Sequence, residues 1–138
     1  MVVSAAAEIR TFGVSTQDVT AIDNWIEQVA ASWRASERAA FKARLCIAEL
    51  AANVLEHGGP KSDRDHIVVM LSRAGDGIEV EFLDSLKPFD PTAEPATAKF
   101  PPSEKGGRGL VLVQAYADGL SYSNDGTYNR VKFKIRSA

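Results

Sequence analysis

The sequence predicts one α/β (α+β) domain whose helices pack on one face of a mixed, mostly antiparallel sheet. The length of 138 residues, with 45% apolar and 25% charged residues, is typical of a single globular domain. The order of predicted elements is β-α-α-β-β-loop-α-β-β, which has too few strand-helix-strand alternations for a doubly wound parallel sheet. Two pairs of β-rich runs are joined by short turns, which favours antiparallel hairpins. We therefore expect one domain spanning residues 1–138.

The first half of the chain predicts a strand followed by two helices. Ala7 to Val14 is a short β-rich run, and a helix capped by Thr16 or Asp18 follows it to about Trp33. A second helix begins at Ser36 and stops at the run His57-Gly58-Gly59-Pro60. The apolar stripe of the first helix consists of Val19, Ile22, Trp25, Ile26, Val29 and Trp33. For the second helix we expect a buried face of Phe41, Leu45, Ala48, Ala52 and Leu55.

The second half predicts two hairpins separated by a long loop and a short helix. His66 to Arg73 and Ile78 to Asp84 are β-rich runs joined by a four-residue turn, and the second run alternates apolar residues with glutamates. Ser85 to Lys105 has no periodic pattern and contains five of the six prolines, which is typical either of a functional lid or of a surface loop. A helix is expected from Gly109 to Asp118. The last hairpin has strands at Leu120 to Ser123 and Tyr128 to Ile135, around the turn Asn124-Asp125-Gly126.

Charge and cysteine content narrow the functional classes. The net charge is −2 and no basic stripe is present, which argues against nucleic acid as a partner. Cys46 is the single cysteine, so no internal disulfide is possible, and we interpret it as a core thiol in a reducing compartment. No apolar run approaches the length of a membrane span. We expect a cytoplasmic protein without a membrane partner.

Three polar residues lie along one edge of the second helix. Glu49, Asn53 and His57 are spaced i, i+4 and i+8, so their side chains stack on one stripe. A solvated Glu-Asn pair with His57 at the helix C-terminus would explain the pattern without any function. Asparagine is nevertheless a poor residue for a helix interior, because its side chain competes with the backbone. A Mg²⁺ ion, which takes one or two protein oxygen ligands and completes its shell with phosphates and water, would account for Asn53.

Asp84 ends a predicted buried strand where the long loop begins. It could simply cap a turn. A buried carboxylate there could also recognise an exocyclic amine, such as N6 of adenine, because bases that lack the donor would leave it unpaired.

The segment Ser103 to Leu110 places three glycines, Gly106, Gly107 and Gly109, just before an apolar helix. Glycine lets the backbone approach a phosphate, and a helix N-terminus offers free amide donors. Lys105 and Arg108 add cationic donors. A flexible hinge would not need two cations and a helix start at one place, so phosphate binding is the preferred interpretation.

Together, the runs IAELAANVLEHG, FLDSLKPFDP and EKGGRGLVLVQAYAD resemble the nucleotide site of the GHKL ATPase and kinase superfamily, and most closely the anti-sigma-factor serine kinases. The resemblance covers roughly Phe41 to the C-terminus. It implies a two-layer α/β sandwich of the Bergerat type with ATP under a lid at about 85–105. The helix opened by Gly107-x-Gly109 would end at Asp118. Two positions depart from the family pattern: Leu86 and Tyr128 stand where glycine is common.

The resemblance also implies roles for individual residues. Asn53 would be the Mg²⁺ ligand, Asp84 the adenine reader and Glu49 the general base for the attacking hydroxyl. The remaining ATP-binding residues would be His57, Lys105, Gly106, Gly107, Arg108, Gly109 and Leu110. The sequence does not support a ligand role for Asn129.

In that family the hydroxyl belongs to a serine of a STAS-domain anti-anti-sigma protein, and the kinase, usually a homodimer, also sequesters a sigma factor. We therefore expect an ATP-dependent protein serine kinase that switches between two such partners. The alternatives are a non-catalytic module that sequesters a partner and a detached catalytic domain of a histidine kinase.

Overall fold

The part of the chain that the structure describes forms one five-stranded antiparallel sheet with three helices. The structure is a computed structural model that describes residues 6–59, 61–75, 77–92 and 107–137, with only the backbone of residues 107–110. The elements are β1 (Ala7–Phe12), α1 (Thr16–Ser32), α2 (Glu37–His57), β2 (Ile67–Ala74), β3 (Gly77–Asp84), α3 (Gly107–Tyr116), β4 (Asp118–Asn124) and β5 (Asn129–Ile135). The sheet order is β1-β2-β3-β5-β4. All four pairings are antiparallel. The predicted fold class is therefore confirmed.

Local sequence signals explain where the helices begin and end. The side chain of Ser15 accepts a hydrogen bond from the backbone N–H of Asp18 and so caps α1, whereas the sequence predicted Thr16 or Asp18 as the cap. Ser36 caps α2 as predicted, by accepting from the N–H of Ala39. At the other end of α2, Gly59 adopts φ +80°, a conformation that glycine permits without strain.

Helix α3 is shifted towards the N-terminus relative to its predicted position. It ends at Tyr116, and the strand β4 already begins at Asp118, so the prediction that the helix extends to Asp118 is wrong. The backbone N–H of Ala117 closes the last turn on the carbonyl of Val113, and Gly119 then takes φ +64°. This reversal redirects the chain into the sheet.

The core lies between the helices and one face of the sheet. Alternating residues of β3 and β5 face it, and the intervening residues of these strands face the opposite side. The sheet contributes Phe12, Ile67, Val69, Leu71, Ile78, Val80, Phe82, Val131, Phe133 and Ile135, and the helices contribute Ile22, Trp25, Ile26, Val29, Cys46, Ile47, Leu50 and Val113. Arg44 joins the two long helices through hydrogen bonds to Asp23 and Glu27 on α1.

The predicted buried face of α2 is wrong. The residues that face the core are Ala39, Ala43, Cys46, Ile47, Leu50 and Ala51, together with Asn53. Phe41 is 57% exposed, Ala52 is exposed, and Leu45, Ala48 and Leu55 are only partly buried. Helix α2 carries two apolar stripes on opposite sides, and only the stripe with Ile47 and Leu50 packs on the sheet. We call the other stripe, formed by Phe41, Leu45, Ala48, Ala52 and Leu55, the outer stripe.

Candidate nucleotide site

Asn53 and Asp84 line one small cavity between α2 and the end of β3. The cavity is also bounded by Leu50, Val54, Gly58, Phe82, Lys87, Phe89 and Pro91. Its volume is about 20 Å³, which is room for about one water molecule. A nucleotide base is much larger, so the segment 86–91 has to move outwards before a base can enter.

The side chain of Asn53 is buried without a complete set of hydrogen bonds. It is 4% exposed, and its Nδ2 is the one fully buried side-chain N or O atom without a partner in the described part of the chain. An unpaired buried polar atom is costly, and its presence beside a cavity indicates a ligand site rather than a packing role. Because the nitrogen and oxygen of an amide exchange places on a 180° rotation, the same position can present the oxygen that a cation requires.

Glu49 lies one helical turn before Asn53 on α2, about 6 Å along the axis. It is partly exposed, and none of the described residues forms a hydrogen bond or salt bridge with its carboxylate. Glu49 does not line the cavity itself.

Asp84 is held at the end of β3 by two donors. It is 6% exposed, and its Oδ1 accepts from the backbone N–H of Leu86 and from Nδ2 of Asn129, each at 3.0 Å. Burial raises the pKa of Asp84, and the hydrogen bonds from Asn129 and Leu86 oppose that rise. Within the described ranges no residue donates to Oδ2, so this oxygen can accept a hydrogen bond from a ligand.

Asn129, for which the sequence supports no ligand role, has a positioning role that the sequence did not predict. It is 2% exposed at the start of β5, and its Nδ2 also donates to the carbonyls of Leu86 and Lys87, at 3.2 Å and 3.1 Å. Its Oδ1 accepts from the hydroxyl of Tyr122 and from Nδ2 of Asn124. Asn129 therefore positions Asp84 and the first residues of the loop rather than facing the cavity.

Tyr128, which stands where glycine is common in the family, contacts the side chain of His66. The hydroxyl of Tyr128 lies 2.6 Å from Nε2 of His66, and the two rings pack edge to face at 5.4 Å. This contact joins the residue before β5 to the residue before β2.

Phe89 lines the cavity, and Leu86, which does not, packs beside it. Leu86 is buried against Gly58: a Cβ atom added to Gly58 would lie 2.4 Å from Cδ1 of Leu86. The ring of Phe89 stacks on that of His57, with centroids 5.1 Å apart and planes inclined by 12°. His57 therefore contacts Phe89, which lines the cavity, but does not line the cavity itself.

The predicted phosphate-binding segment lies partly outside the described residues. Lys105 and Gly106 are outside them, as are the residues after 92 of the predicted lid at about 85–105. Gly107 to Leu110 form the first turn of α3, whose backbone alone is described. Gln114 on α3 donates to the carbonyl of Pro91 at 3.4 Å, so α3 contacts the segment that covers the cavity.

The polar groups fit Mg²⁺ and ATP chemically. Among the described residues no group of three or more His, Cys, Asp or Glu side chains forms a metal site. Asn53 provides a single candidate ligand, as is common where phosphates and water complete a Mg²⁺ shell. Asp84 offers the carboxylate oxygen that an adenine amine needs.

Cys46 faces the core and is fully buried, as the sequence predicted. Burial, together with the nearby charge of Glu49, raises the pKa of its thiol to about 12. The thiol stays protonated at neutral pH and is excluded as a nucleophile.

Comparison with known proteins identifies the class of this fold and site. The family model described as the histidine kinase-like ATPase domain matches residues 12–135, so the chain belongs to that family. The predicted GHKL membership is confirmed, and an ATPase domain of this kind implies ATP binding.

Two individual proteins illustrate the relationship. The chain is 26% identical over 133 residues to the serine/threonine-protein kinase BtrW of Bordetella bronchiseptica, covering 93% of this chain and 94% of that protein. Its fold matches the crystal structure of the RsbU and RsbW domains of Rv1364c from Mycobacterium tuberculosis with a TM-score of 0.70 at 15% identity. That match covers 96% of this chain and 32% of the longer protein. Because the identity is only 15%, the match shows the fold alone. None of the described helices is long and apolar enough to cross a membrane.

Proposed function

We propose that the chain is an ATP-dependent protein serine kinase and anti-sigma factor. It phosphorylates a serine of a STAS-domain anti-anti-sigma protein, and in its other state it sequesters a sigma factor or an equivalent target. We place this activity in the cytoplasm and in a homodimer. The observation that carries the proposal is that Asn53, with its unpaired amide, and Asp84, with its free carboxylate oxygen, line the same cavity in a histidine kinase-like ATPase domain.

Each residue of the candidate nucleotide site then has a defined role in binding or catalysis. Asp84 accepts a hydrogen bond from the exocyclic amine of adenine, and Asn129 keeps the carboxylate in place for it. Asn53 holds Mg²⁺, which when bound neutralises charge on the phosphates. The amides of the segment 106–109, with Lys105 and Arg108, bind the phosphates at the start of α3. Glu49 orients the serine hydroxyl and accepts its proton, because phosphoryl transfer depends chiefly on positioning and charge stabilisation.

The outer stripe is a candidate docking surface for the protein substrate. Leu45 and Ala52 precede and follow Glu49 by four and three residues, so they are its neighbours on the surface of α2. A protein that brings a serine to Glu49 therefore passes over this stripe, where Phe41 is 57% exposed. Burying exposed apolar side chains of this kind would stabilise the complex.

Equilibrium binding of ATP, with and without Mg²⁺, tests the nucleotide site. We expect Mg²⁺-dependent binding that Asn53→Ala abolishes, while the fold survives because a helix interior accepts alanine. Asn24→Ala, on the exposed surface of α1, is the matched control and should bind normally. Unchanged ATP affinity in Asn53→Ala would remove this residue from the site.

Labelled ATP and candidate STAS-domain proteins test the reaction. We expect label on serine, and we expect Glu49→Gln to retain ATP binding but to transfer phosphate about 10²- to 10⁴-fold more slowly. Glu37→Gln, at an exposed position in the first turn of the same helix, is the control and should be fully active. A fully active Glu49→Gln variant would exclude the proposed role of Glu49.

The closed cavity favours a second candidate, a module that binds a partner without catalysis. Leu86 fills the space next to Gly58, where a nucleotide would need room. In that case the chain would bind its partner stably and transfer no label. Acid-labile phosphohistidine would instead indicate a detached histidine-kinase domain.

A further inference from the structure

A cavity of about 330 Å³ lies at the end of the sheet opposite the candidate nucleotide site. It is bounded by the connection between α1 and α2 and by the turn between β2 and β3. The residues that line it are Trp33, Arg34, Ala35, Ser36, Arg73, Gly75, Gly77, Ile78 and Ser137. Strand β3 runs from this cavity to Asp84, a length of about 23 Å at roughly 3.3 Å per residue. The two cavities are therefore separate.

This cavity combines an apolar wall with charged groups of one sign. Trp33 and Ile78 belong to the core and are 6% and 1% exposed. Arg34 and Arg73 are exposed, and they are the only charged side chains among the described residues that line the cavity. Ser36, the cap of α2, also lines it, so the positive end of the helix dipole adds to the potential. Apolar walls with a few polar groups are typical of small-molecule sites of this size.

Neither arginine side chain has a partner in the described part of the chain. No described residue forms an ion pair or a hydrogen bond with the guanidinium group of Arg34 or Arg73. Water can solvate an exposed arginine, so the lack of a partner would mean little at a single position. Two such groups on one cavity instead favour an anion, because a planar guanidinium matches phosphate and carboxylate oxygens.

Arg34 holds its place against a local preference of the backbone. The N–H of Arg34 donates to the carbonyl of Ala31 and that of Ala35 to the carbonyl of Ala30, which is the Schellman arrangement at the end of α1. Glycine is usual at the position of Arg34 because φ is positive there, and φ of Arg34 is +55°. No other non-glycine residue of the described chain has a positive φ. This unfavourable conformation therefore occurs at a residue that lines the cavity.

We propose that this cavity binds a small phosphate monoester that carries an aromatic or apolar group. Such a phosphate has nearly two negative charges at pH 7, which the guanidinium groups of Arg34 and Arg73 match. A carboxylate, with one charge, would leave one of the two groups unmatched. The aromatic or apolar group packs on Trp33 and Ile78. The proposal does not depend on the proposed kinase activity.

Binding of phenyl phosphate to the full-length protein tests the proposal. We expect saturable binding in isothermal titration calorimetry that weakens as salt is added. Phenol lacks the charge and inorganic phosphate lacks the ring, so each should bind about tenfold more weakly or worse. No saturable binding of phenyl phosphate, or equally tight binding of phenol, would overturn the proposal.

NMR and tryptophan fluorescence locate the bound compound. We expect phenyl phosphate to shift the amide signals of Ala35 and Gly77 and to change the fluorescence of the chain, a change that Trp33→Phe removes. The amide signals of Asp84 and Asn129 should stay in place. Shifts confined to these two residues would put phenyl phosphate in the candidate nucleotide site and would overturn the second site.

Variants that remove one charge separate binding from folding. Arg34→Gly should lower the affinity for phenyl phosphate roughly 10- to 100-fold. It should nevertheless unfold at the same or a higher temperature, because glycine adopts a positive φ without strain. Arg73→Gln should lower the affinity by a similar factor. Arg64→Gln, at an exposed position that does not line the cavity, is the control with the same net charge.

Asp76 separates Gly75 from Gly77 in the sequence, and Asp76→Asn should not weaken the binding of an anion. Weaker binding in Asp76→Asn would contradict an anionic ligand. Unchanged affinity in both Arg34→Gly and Arg73→Gln, or an equal loss in Arg64→Gln, would exclude the two arginines as its ligands and overturn the proposal.

Discussion

Replacing Asn129 with alanine should destabilise the protein strongly, although Asn129 does not face the cavity. Its Nδ2 has two protons for three acceptors, Asp84 Oδ1 and the carbonyls of Leu86 and Lys87, so it makes the equivalent of two hydrogen bonds. The bond to the carboxylate is worth about 2 kcal/mol, and the other bond and that from Tyr122 about 1 kcal/mol each. We therefore expect Asn129→Ala to lower the free energy of unfolding by roughly 4 kcal/mol.

The pH dependence of that loss distinguishes the bond to Asp84 from simple packing. Burial raises the pKa of Asp84 in the folded state, so the folded protein is favoured at low pH and loses stability as pH rises through the folded pKa. Removing Asn129 removes a donor that opposes this rise. The loss should therefore be larger at pH 8 than at pH 4, because the charged fraction of the carboxylate increases with pH.

Urea unfolding of the variant and the parent chain at both pH values measures these quantities. Asn24→Ala, an exposed substitution of the same kind, should change stability by less than about 0.5 kcal/mol. A loss below about 1.5 kcal/mol for Asn129→Ala, or an equal loss at both pH values, would refute the network as we describe it.

Three further substitutions and one labelling experiment probe the site and its surroundings. Asp84→Asn should weaken ATP binding at least tenfold, and undiminished affinity would exclude Asp84 as the residue that recognises the base. In thermal unfolding at pH 7 without ATP, this variant should be no less stable than the parent chain, because the buried charge is removed. Leu86→Gly should lower the free energy of unfolding by about 3 kcal/mol. The variant should nevertheless bind ATP more tightly in calorimetry, since it opens the space beside Gly58, and weaker binding would contradict that role of Leu86. The thiol of Cys46 should resist alkylation in the folded protein and react only after unfolding, as mass spectrometry can show, and rapid labelling of the native chain would contradict the pKa of about 12. Phe41→Glu should leave stability within about 0.5 kcal/mol but raise the KM for the protein substrate at least tenfold, and an unchanged KM would place docking elsewhere.

The sheet and α1 were predictable because their patterns are local. The hairpin of β2 and β3 follows from a short turn and from the alternation of Ile78, Val80 and Phe82 with glutamates. The stripe of α1 is unambiguous because its opposite side is polar. The outer stripe was mistaken for the buried face because α2 is apolar on two sides. Local periodicity cannot decide which of two apolar stripes meets the sheet, since that depends on how α1 and α3 flank the helix.

The candidate site was predictable where its residues share one element or end one. Asn53 stands out as a polar residue inside an apolar helix, and Asp84 as an acid that ends a buried strand. The positioning role of Asn129 was not predicted, although this residue carries a signal of the same kind. It is in phase with Val131, Phe133 and Ile135, so period-two alternation already places it on the buried face of β5. Its partners, however, come from β3 and the following loop, and pairing across strands is not visible in a single segment.

The three buried polar residues of the described chain are Asn53, Asp84 and Asn129, and they are not equivalent. Asp84 accepts a hydrogen bond from Asn129, which keeps the buried carboxylate in one orientation and offsets part of the free-energy cost of burying it. Asn53 has an amide nitrogen with no partner, so the unmet hydrogen-bonding capacity of the core is concentrated beside the cavity. A ligand that supplies the missing partner relieves that cost when it binds, whereas an apolar residue at position 53 would relieve it permanently. The asparagine in an otherwise apolar face of α2 therefore supports the proposal of a ligand at this position. The order of events in binding is also constrained. Because Phe89 and Pro91 line a cavity of only about 20 Å³, a base can enter only if this segment moves. Asn129 holds the carbonyls of Leu86 and Lys87 at the start of the same segment, which couples occupancy of the site to the position of the loop.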